Sequence, residues 1–286
     1  MKRYHHIILG TGQSTGTLLG RLIPTGDSIA VIEGNKVGGS CVNYGCTPTK
    51  TLVASAKAIH TAHRGEFFGF DAENISVDYK RIRERMNTIR NSSSEGLEKW
   101  MKGTKNVTLY KEYGEFTDQK TIKVGEDKIE GERIYINTGT RPSAPPVEGL
   151  QSVPWLDSAG LLDLEKLPEH LIILGGGYIG VEFSQIYQRF GSRVTLIQRS
   201  GQLMPQEDED VAESIQKFLV DEGVNLILNG DAVSVAGDED NITVTLKDGR
   251  EITGDKLLIA TGRTPNSDTI NPKAAGISTD KRGILR

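Results

Sequence analysis

His6-Ile7-Ile8-Leu9-Gly10-Thr11-Gly12 and His170-Leu171-Ile172-Ile173-Leu174-Gly175-Gly176-Gly177-Tyr178-Ile179-Gly180 open two copies of one device. In each, an apolar run meets a glycine turn, and a helical pattern follows, to about Ile23 in the first copy and Phe190 in the second. A second apolar run closes each copy, Ser28–Glu33 and Ser192–Gln198. Gly10 to Glu33 is 23 positions, Gly175 to Gln198 is also 23, and the copies lie 165 residues apart. An unbroken apolar run before the turn suits a strand buried on both faces of a parallel sheet.

Working outward, Thr47 to His63 reads as a helix and Asp78 to Lys102 as a longer, mostly polar one. Val107 to Asn137 reads as a strand-rich meander, and a second meander runs from Val224 to Ile259. The meanders end alike, on Asn137-Thr138-Gly139-Thr140-Arg141-Pro142 and Ala260-Thr261-Gly262-Arg263-Thr264-Pro265. Pro142-Ser143-Ala144-Pro145-Pro146 is the natural linker. The expected class is α/β, with two Rossmann-like domains built on parallel sheets and β-meanders. The expected boundaries are 1–145 and 146–266, with 267–286 starting a return to the first domain.

A glycine turn at a helix N-terminus suits a dinucleotide pyrophosphate, because backbone N–H groups and the helix dipole both favour an anion there. The first two glycines admit the ligand, the third allows close helix–strand packing, and an acid after the next strand can hold ribose hydroxyls. Gly10, Gly12 and Glu33 fit. The third position is Thr15, with Gly16 one place later. Either the helix start is slightly looser and still binds, or affinity is weakened; the first reading is preferred. The second turn has Gly175, Gly177 and Gly180, and its strand ends in Gln198-Arg199. With no acid to repel a 2′-phosphate and an arginine to pair with it, NADPH is preferred over NADH. The alternative is that Arg199 is a solvated charge and either nucleotide is accepted.

Net charge is −4 with no basic stripe, which argues against nucleic acid or an anionic membrane as partner. The apolar run at the N-terminus is too short for a signal-peptide core or a membrane span, so a cytoplasmic location is the default. The 2 cysteines cannot staple a secreted scaffold of 286 residues. They fall in Cys41-Val42-Asn43-Tyr44-Gly45-Cys46-Thr47-Pro48-Thr49-Lys50, where a loop enters a helix whose N-terminus lowers a thiol pKa. Zinc lacks further ligands. Spacing alone leaves a reactive pair and two buried structural thiols equally open.

Gly10–Glu33, Gly38–Lys50, Thr138–Pro142, Gly175–Phe183 and Ala260–Asn266 together resemble the pyridine nucleotide–disulfide oxidoreductases, the family of dihydrolipoamide dehydrogenase, glutathione reductase and mercuric reductase. The resemblance spans essentially the whole chain, and the cysteine block looks most like the mercuric reductase and lipoamide dehydrogenase branch. It implies FAD on the first copy, NAD(P)H on the second, and a redox-active disulfide between Cys41 and Cys46. Hydride would pass from nicotinamide to flavin and electrons onward to the disulfide. The final acceptor would be a small-molecule disulfide or a metal ion. Cofactor contacts are implied at Gly10, Gly12, Thr15, Gly16, Glu33, Gly39, Ser40, Thr138, Gly139, Gly175, Gly177, Tyr178, Ile179, Gly180, Gln198, Arg199 and Gly262.

The same resemblance makes Cys46 the thiol facing the flavin and Cys41 the one exchanging with substrate. Lys50 would sit at the reactive edge of the flavin, paired with Glu182; an ordinary structural ion pair is the alternative. Tyr178 falls where the family has an aromatic lid, the alternative being a packed core tyrosine. Asp280 and Gly283 echo the return to the first domain. Family members continue beyond the equivalent of Arg286 into a homodimerisation domain that carries an acid–base histidine. The expectation is therefore a C-terminally truncated member without that domain, in which hydride transfer to flavin persists weakly and efficient disulfide turnover does not.

Overall fold

The computed structural model describes residues 1–286. Its first half forms β1 (Lys2–Leu9), α1 (Gln13–Leu22), β2 (Ile29–Ile32), α2 (Gly39–Asn43), α3 (Cys46–His63), α4 (Tyr79–Gly103), β3 (Val107–Tyr110), β4 (Gly114–Asp118), β5 (Thr121–Val124), β6 (Asp127–Ile136) and β7 (Thr140–Pro142). Then come α5 (Ser158–Asp163), β8 (His170–Leu174), α6 (Tyr178–Phe190), β9 (Arg193–Ile197), α7 (Glu209–Asp221), β10 (Asn225–Ile227), β11 (Ala232–Gly237), β12 (Ile242–Leu246), β13 (Glu251–Gly254), β14 (Lys256–Ile259) and β15 (Arg263–Pro265). The fold is α/β. By packing, the chain divides into two compact units. One joins Met1–Pro48, Asn87–Arg141 and Arg263–Arg286; the other joins Thr49–Met86 and Pro142–Gly262.

In the first unit one sheet runs β3-β2-β1-β6-β5-β4. The first four strands are mutually parallel and the last three antiparallel. Successive side chains of a strand point to opposite faces. Ile7 and Leu9 therefore enter a core with Phe116, Ile122 and Ile129, while Ile8 packs with Leu19, Met101 and Val107. From His6 to Leu9 both faces of β1 are dry, which is why that stretch shows a run and no alternation.

The second unit repeats this plan. Its sheet runs β10-β9-β8-β14, all parallel. Leu171 and Ile173 of β8 share a core with Phe183, Ile186 and Phe190 of α6, whereas Ile172 and Leu174 face Val235, Ile242, Val244 and Leu246. Those last residues belong to a separate antiparallel sheet, β11-β12-β13. Leu52, Ala56, Tyr79 and Met86 join the α6 core, and the Tyr79 and Tyr187 hydroxyls lie 3.0 Å apart.

The expected meanders need correction. Val107–Tyr110 and Asn225–Ile227 are parallel edge strands beside β2 and β9, so each meander proper starts later. Alternation reports which faces are buried; it carries no information on strand direction. The units also differ where meander meets sheet. The ten-residue β6 pairs with β5 through Asp127–Glu130 and with β1 through Ile129–Ile136. Its counterpart is broken into β13 and β14 at Asp255, whose carboxylate accepts the N–H groups of Glu169 at 3.2 Å and His170 at 2.6 Å. No helix is long and apolar enough to cross a membrane.

Candidate functional site

The two glycine turns share a backbone. Gly10 and Gly175 have φ of 100° and 111°, in the left-handed region that favours glycine. A Cβ there would lie 2.3 Å from the Asn137 carbonyl oxygen and 2.5 Å from that of Ala260, respectively. Gly12 and Gly177 then cap α1 and α6 in extended conformation, with φ of −63° and −78°. The first N–H groups of each helix have no partner within the helix. A Cβ on Gly16, Gly139 or Gly177 would meet nothing within 4 Å, so open space adjoins both turns.

Glu33 and Gln198 each reach back from the end of the second strand to lock the turn. The Thr11 N–H donates to Glu33 Oε2 at 3.0 Å and the Thr11 hydroxyl to the same oxygen, while the Asn35 N–H donates to Oε1 at 2.9 Å. A carboxylate accepts about four hydrogen bonds, so capacity remains for a ribose hydroxyl. In the second unit the Gly176 N–H donates to Gln198 Oε1 at 2.9 Å. Arg199, next along, is exposed.

The turns part at their third position. A Cβ on Gly180 would lie 1.9 Å from the Gly175 carbonyl oxygen. Thr15 carries a whole side chain at the matching place. It is buried, its hydroxyl donates to the Gly10 carbonyl at 2.9 Å, and it accepts from Asn137 Nδ2 at 2.8 Å. The missing glycine thus corresponds to a wider helix start filled by a hydrogen-bonded side chain.

Cys41 lies in α2 and Cys46 opens α3; the two are joined in a disulfide with Cα atoms 4.6 Å apart. Cys46 is exposed and Cys41 half-buried. The loop leading to them rests on the first glycine turn. The Gly38 N–H donates to the Thr11 hydroxyl at 3.0 Å, and a Cβ on Gly39 would lie 2.7 Å from Gly12 Cα. Ser40 is exposed beside it. Buried Asn43 ties the loop together, its amide donating to the carbonyls of Val37 and Gly39, each at 3.0 Å. Thr138 and Gly139 are held by Asn266, whose side-chain amide donates to Thr138 O at 2.9 Å and whose N–H donates to Gly139 O at 3.0 Å.

One turn beyond Cys46, the Lys50 ammonium of α3 pairs with the Glu182 carboxylate of α6. The side chains are 68% and 29% exposed, and a pair so open to water contributes little stability. Tyr178 is 61% exposed, which excludes the packed-core alternative. Its hydroxyl donates to the Glu207 carboxylate, and that contact raises the phenol's pKa. Ile179 packs against the α6 core, and Gly262 is exposed near the Ser143 hydroxyl. The structure contains no group of three or more His, Cys, Asp or Glu able to hold a metal ion. Sequence reading passed over Thr11, Asn43, Asn137 and Asn266. The signal for three of them was an asparagine inside a stretch already marked by glycine or cysteine.

Comparison with known proteins agrees with this geometry. The family profile described as "Pyridine nucleotide-disulphide oxidoreductase" matches residues 4–286. The Escherichia coli protein named "Probable pyridine nucleotide-disulfide oxidoreductase RclA" is 36% identical over 292 residues, covering 100% of this chain and 62% of that protein. A mercuric reductase of Lysinibacillus sphaericus is 34% identical over 285 residues, covering 99% and 52%. A solved Cu(II) complex of the E. coli HOCl-induced flavoprotein disulfide reductase RclA aligns with a TM-score of 0.87 at 35% identity, over 98% of this chain and 61% of that one. The chain spans about half to three fifths of the length of these relatives. With a match over nearly its whole length, the chain belongs to the pyridine nucleotide-disulphide oxidoreductase family.

Proposed function

We propose that this chain is the nucleotide- and disulfide-bearing part of an NAD(P)H-dependent flavoprotein disulfide oxidoreductase, with Cys41 and Cys46 as its redox pair. The observation that carries the reading is the contact between the disulfide loop and the first glycine turn, Gly39 against Gly12. The residues present fit the cofactors. Glycines at 12 and 16 keep the start of α1 clear of side chains, and Glu33 keeps acceptor capacity for a ribose. At the second turn, Gly177 leaves α6 open while Gln198 and Arg199 present no negative charge, which favours NADPH over NADH. FAD and NAD(P)H bound there supply two-electron chemistry between a nicotinamide and a disulfide.

The chain's own groups prepare that chemistry at sulfur. Reduction of the Cys41–Cys46 bond takes up two electrons and two protons and yields two thiols. Because α3 begins at Cys46, the dipole of that helix favours a thiolate there. Lys50 adds a positive charge one turn further on, and Glu182 holds it in one direction. Exposure of Cys46 and partial exposure of Cys41 leave the bond open to exchange. Relatives include mercuric reductases and a protein solved with Cu(II), so the acceptor class is a small-molecule disulfide or a reducible soft metal ion. In this reading the enzyme works in the cytoplasm.

The test starts with colour. Purified chain reconstituted with FAD is expected to turn yellow, to bleach transiently on anaerobic addition of one equivalent of NADPH, and then, as the electron pair passes to the disulfide, to develop the long-wavelength band of a thiolate beside oxidised flavin. Cys46→Ser should lose that band and keep the bleaching. Bleaching of the wild-type chain with no such band would make it a flavin reductase and defeat the disulfide assignment. Lipoamide, glutathione disulfide, mercuric ion and Cu(II), supplied as acceptors, then discriminate among substrates.

A further inference from the structure

We infer that Thr15 and Asn137 form a polar latch that positions the first glycine turn for tight retention of its dinucleotide, a role that rests on the assignment of FAD to that turn. Three observations combine. First, the hydrogen bonds run in series: Asn137 Nδ2 donates to Thr15 Oγ1 at 2.8 Å, and Thr15 Oγ1 donates to the Gly10 carbonyl at 2.9 Å. Second, the Asn137 side chain lies directly beneath the cap of α1, since a Cβ on Gly12 would be 3.2 Å from Nδ2 and 3.3 Å from Oδ1. Third, both members of the pair are exchanged together in the second unit, where Gly180 and Ala260 occupy the matching positions and neither supplies a polar side chain.

The physical consequence follows from the third position. In the second turn, contact between Gly180 and the Gly175 carbonyl fixes the distance from α6 to the turn, and a single Cβ would collide there at 1.9 Å. In the first turn, Thr15 stands where that contact would be, so the distance is set by a buried threonine whose hydroxyl donates to the half-buried Gly10 carbonyl. Without the hydroxyl the half-buried Gly10 carbonyl would lose this partner, and the start of α1 would lose its tether. The N–H groups of α1 that face an anion are aimed by this tether. Thr15 is therefore a positioning residue, acting through Gly10 and Gly12.

The test compares Thr15→Val, which keeps the branched shape and loses the hydroxyl, with Thr15→Ser, which keeps the hydroxyl. FAD release from the reconstituted chain is followed by the rise in flavin fluorescence. Loss of one part-buried hydrogen bond predicts about tenfold faster release from Thr15→Val. Thr15→Ser and wild type should release at rates within about a factor of two, a difference too small to report a lost hydrogen bond. NADPH affinity, measured by calorimetry, should stay at the wild-type value in both, because the second turn has no such latch. Should Thr15→Val not fold, Asn137→Ala supplies the same comparison, with faster FAD release and unchanged NADPH binding expected. Wild-type release rates in the folded variants overturn the latch while leaving the FAD assignment intact. Failure of the wild-type chain to bind FAD at all overturns both.

Discussion

The first glycine turn and the second are the same backbone solved with different side chains. Both begin with a left-handed glycine pressed against a returning strand, and both hand over to a helix through an extended glycine cap. Both are closed by a side chain from the end of the second strand. The first uses a charged acceptor, Glu33, and a polar filler, Thr15; the second uses neutral Gln198 and bare Gly180. The difference teaches that the third glycine is one of two ways to set the helix against the strand. It is obligatory only where the helix comes close enough for a Cβ to strike a carbonyl.

Four substitutions probe that contrast. Gly180→Thr places the first turn's residue in the second and should be the most damaging. Its Cβ cannot avoid the Gly175 carbonyl, and forced overpacking of this kind destabilises by about 3 kcal/mol. A thermal melt should show the second unit lost; a variant as stable as wild type would dissolve the contrast. Next, Arg199→Ala should weaken NADPH binding about tenfold by removing a charge-assisted partner for the 2′-phosphate, with NADH affinity unchanged. Equal losses for both nucleotides, measured by calorimetry, would reduce Arg199 to a solvated charge.

Glu33→Gln makes the first turn resemble the second. The amide retains one acceptor oxygen for Thr11 and loses the charge and the bond from Asn35, a cost of about 1 kcal/mol in the chain without cofactor. Denaturant unfolding followed by circular dichroism measures it, and no change would mean the acid serves only the ligand. The smallest effect is expected from Lys50→Met. With its side chain 68% exposed, the pair with Glu182 should contribute less than about 0.5 kcal/mol to stability. The same variant should impair reduction of the Cys41–Cys46 bond in single-turnover measurements. A large stability loss would return the pair to an ordinary structural role.

Much of this was legible before any coordinates. The doubled strand–turn–helix–strand, the disulfide at Cys41 and Cys46 and the pairing of Lys50 with Glu182 were all anticipated from motifs and resemblance. Strand direction at Val107 and Asn225 was not, because an apolar strand carries the same pattern whichever way its neighbour runs. Asn43, Asn137 and Asn266 were passed over for a related reason. A single asparagine announces nothing until the loops it ties together are seen folded against it.

By itself, the amino-acid sequence determined that this protein has two glycine turns with helices behind them and two cysteines at a helix start. Spacing along the chain records such local chemistry directly, because turn, helix and thiol lie within a few residues of one another. Only the tertiary structure decided that Thr15 fills the place of a glycine, that the disulfide loop rests on the first turn, and that Tyr178 is exposed and held by Glu207. Each of those depends on groups distant in sequence meeting within a few ångströms, and a distance of that kind is set by how the sheets and helices pack.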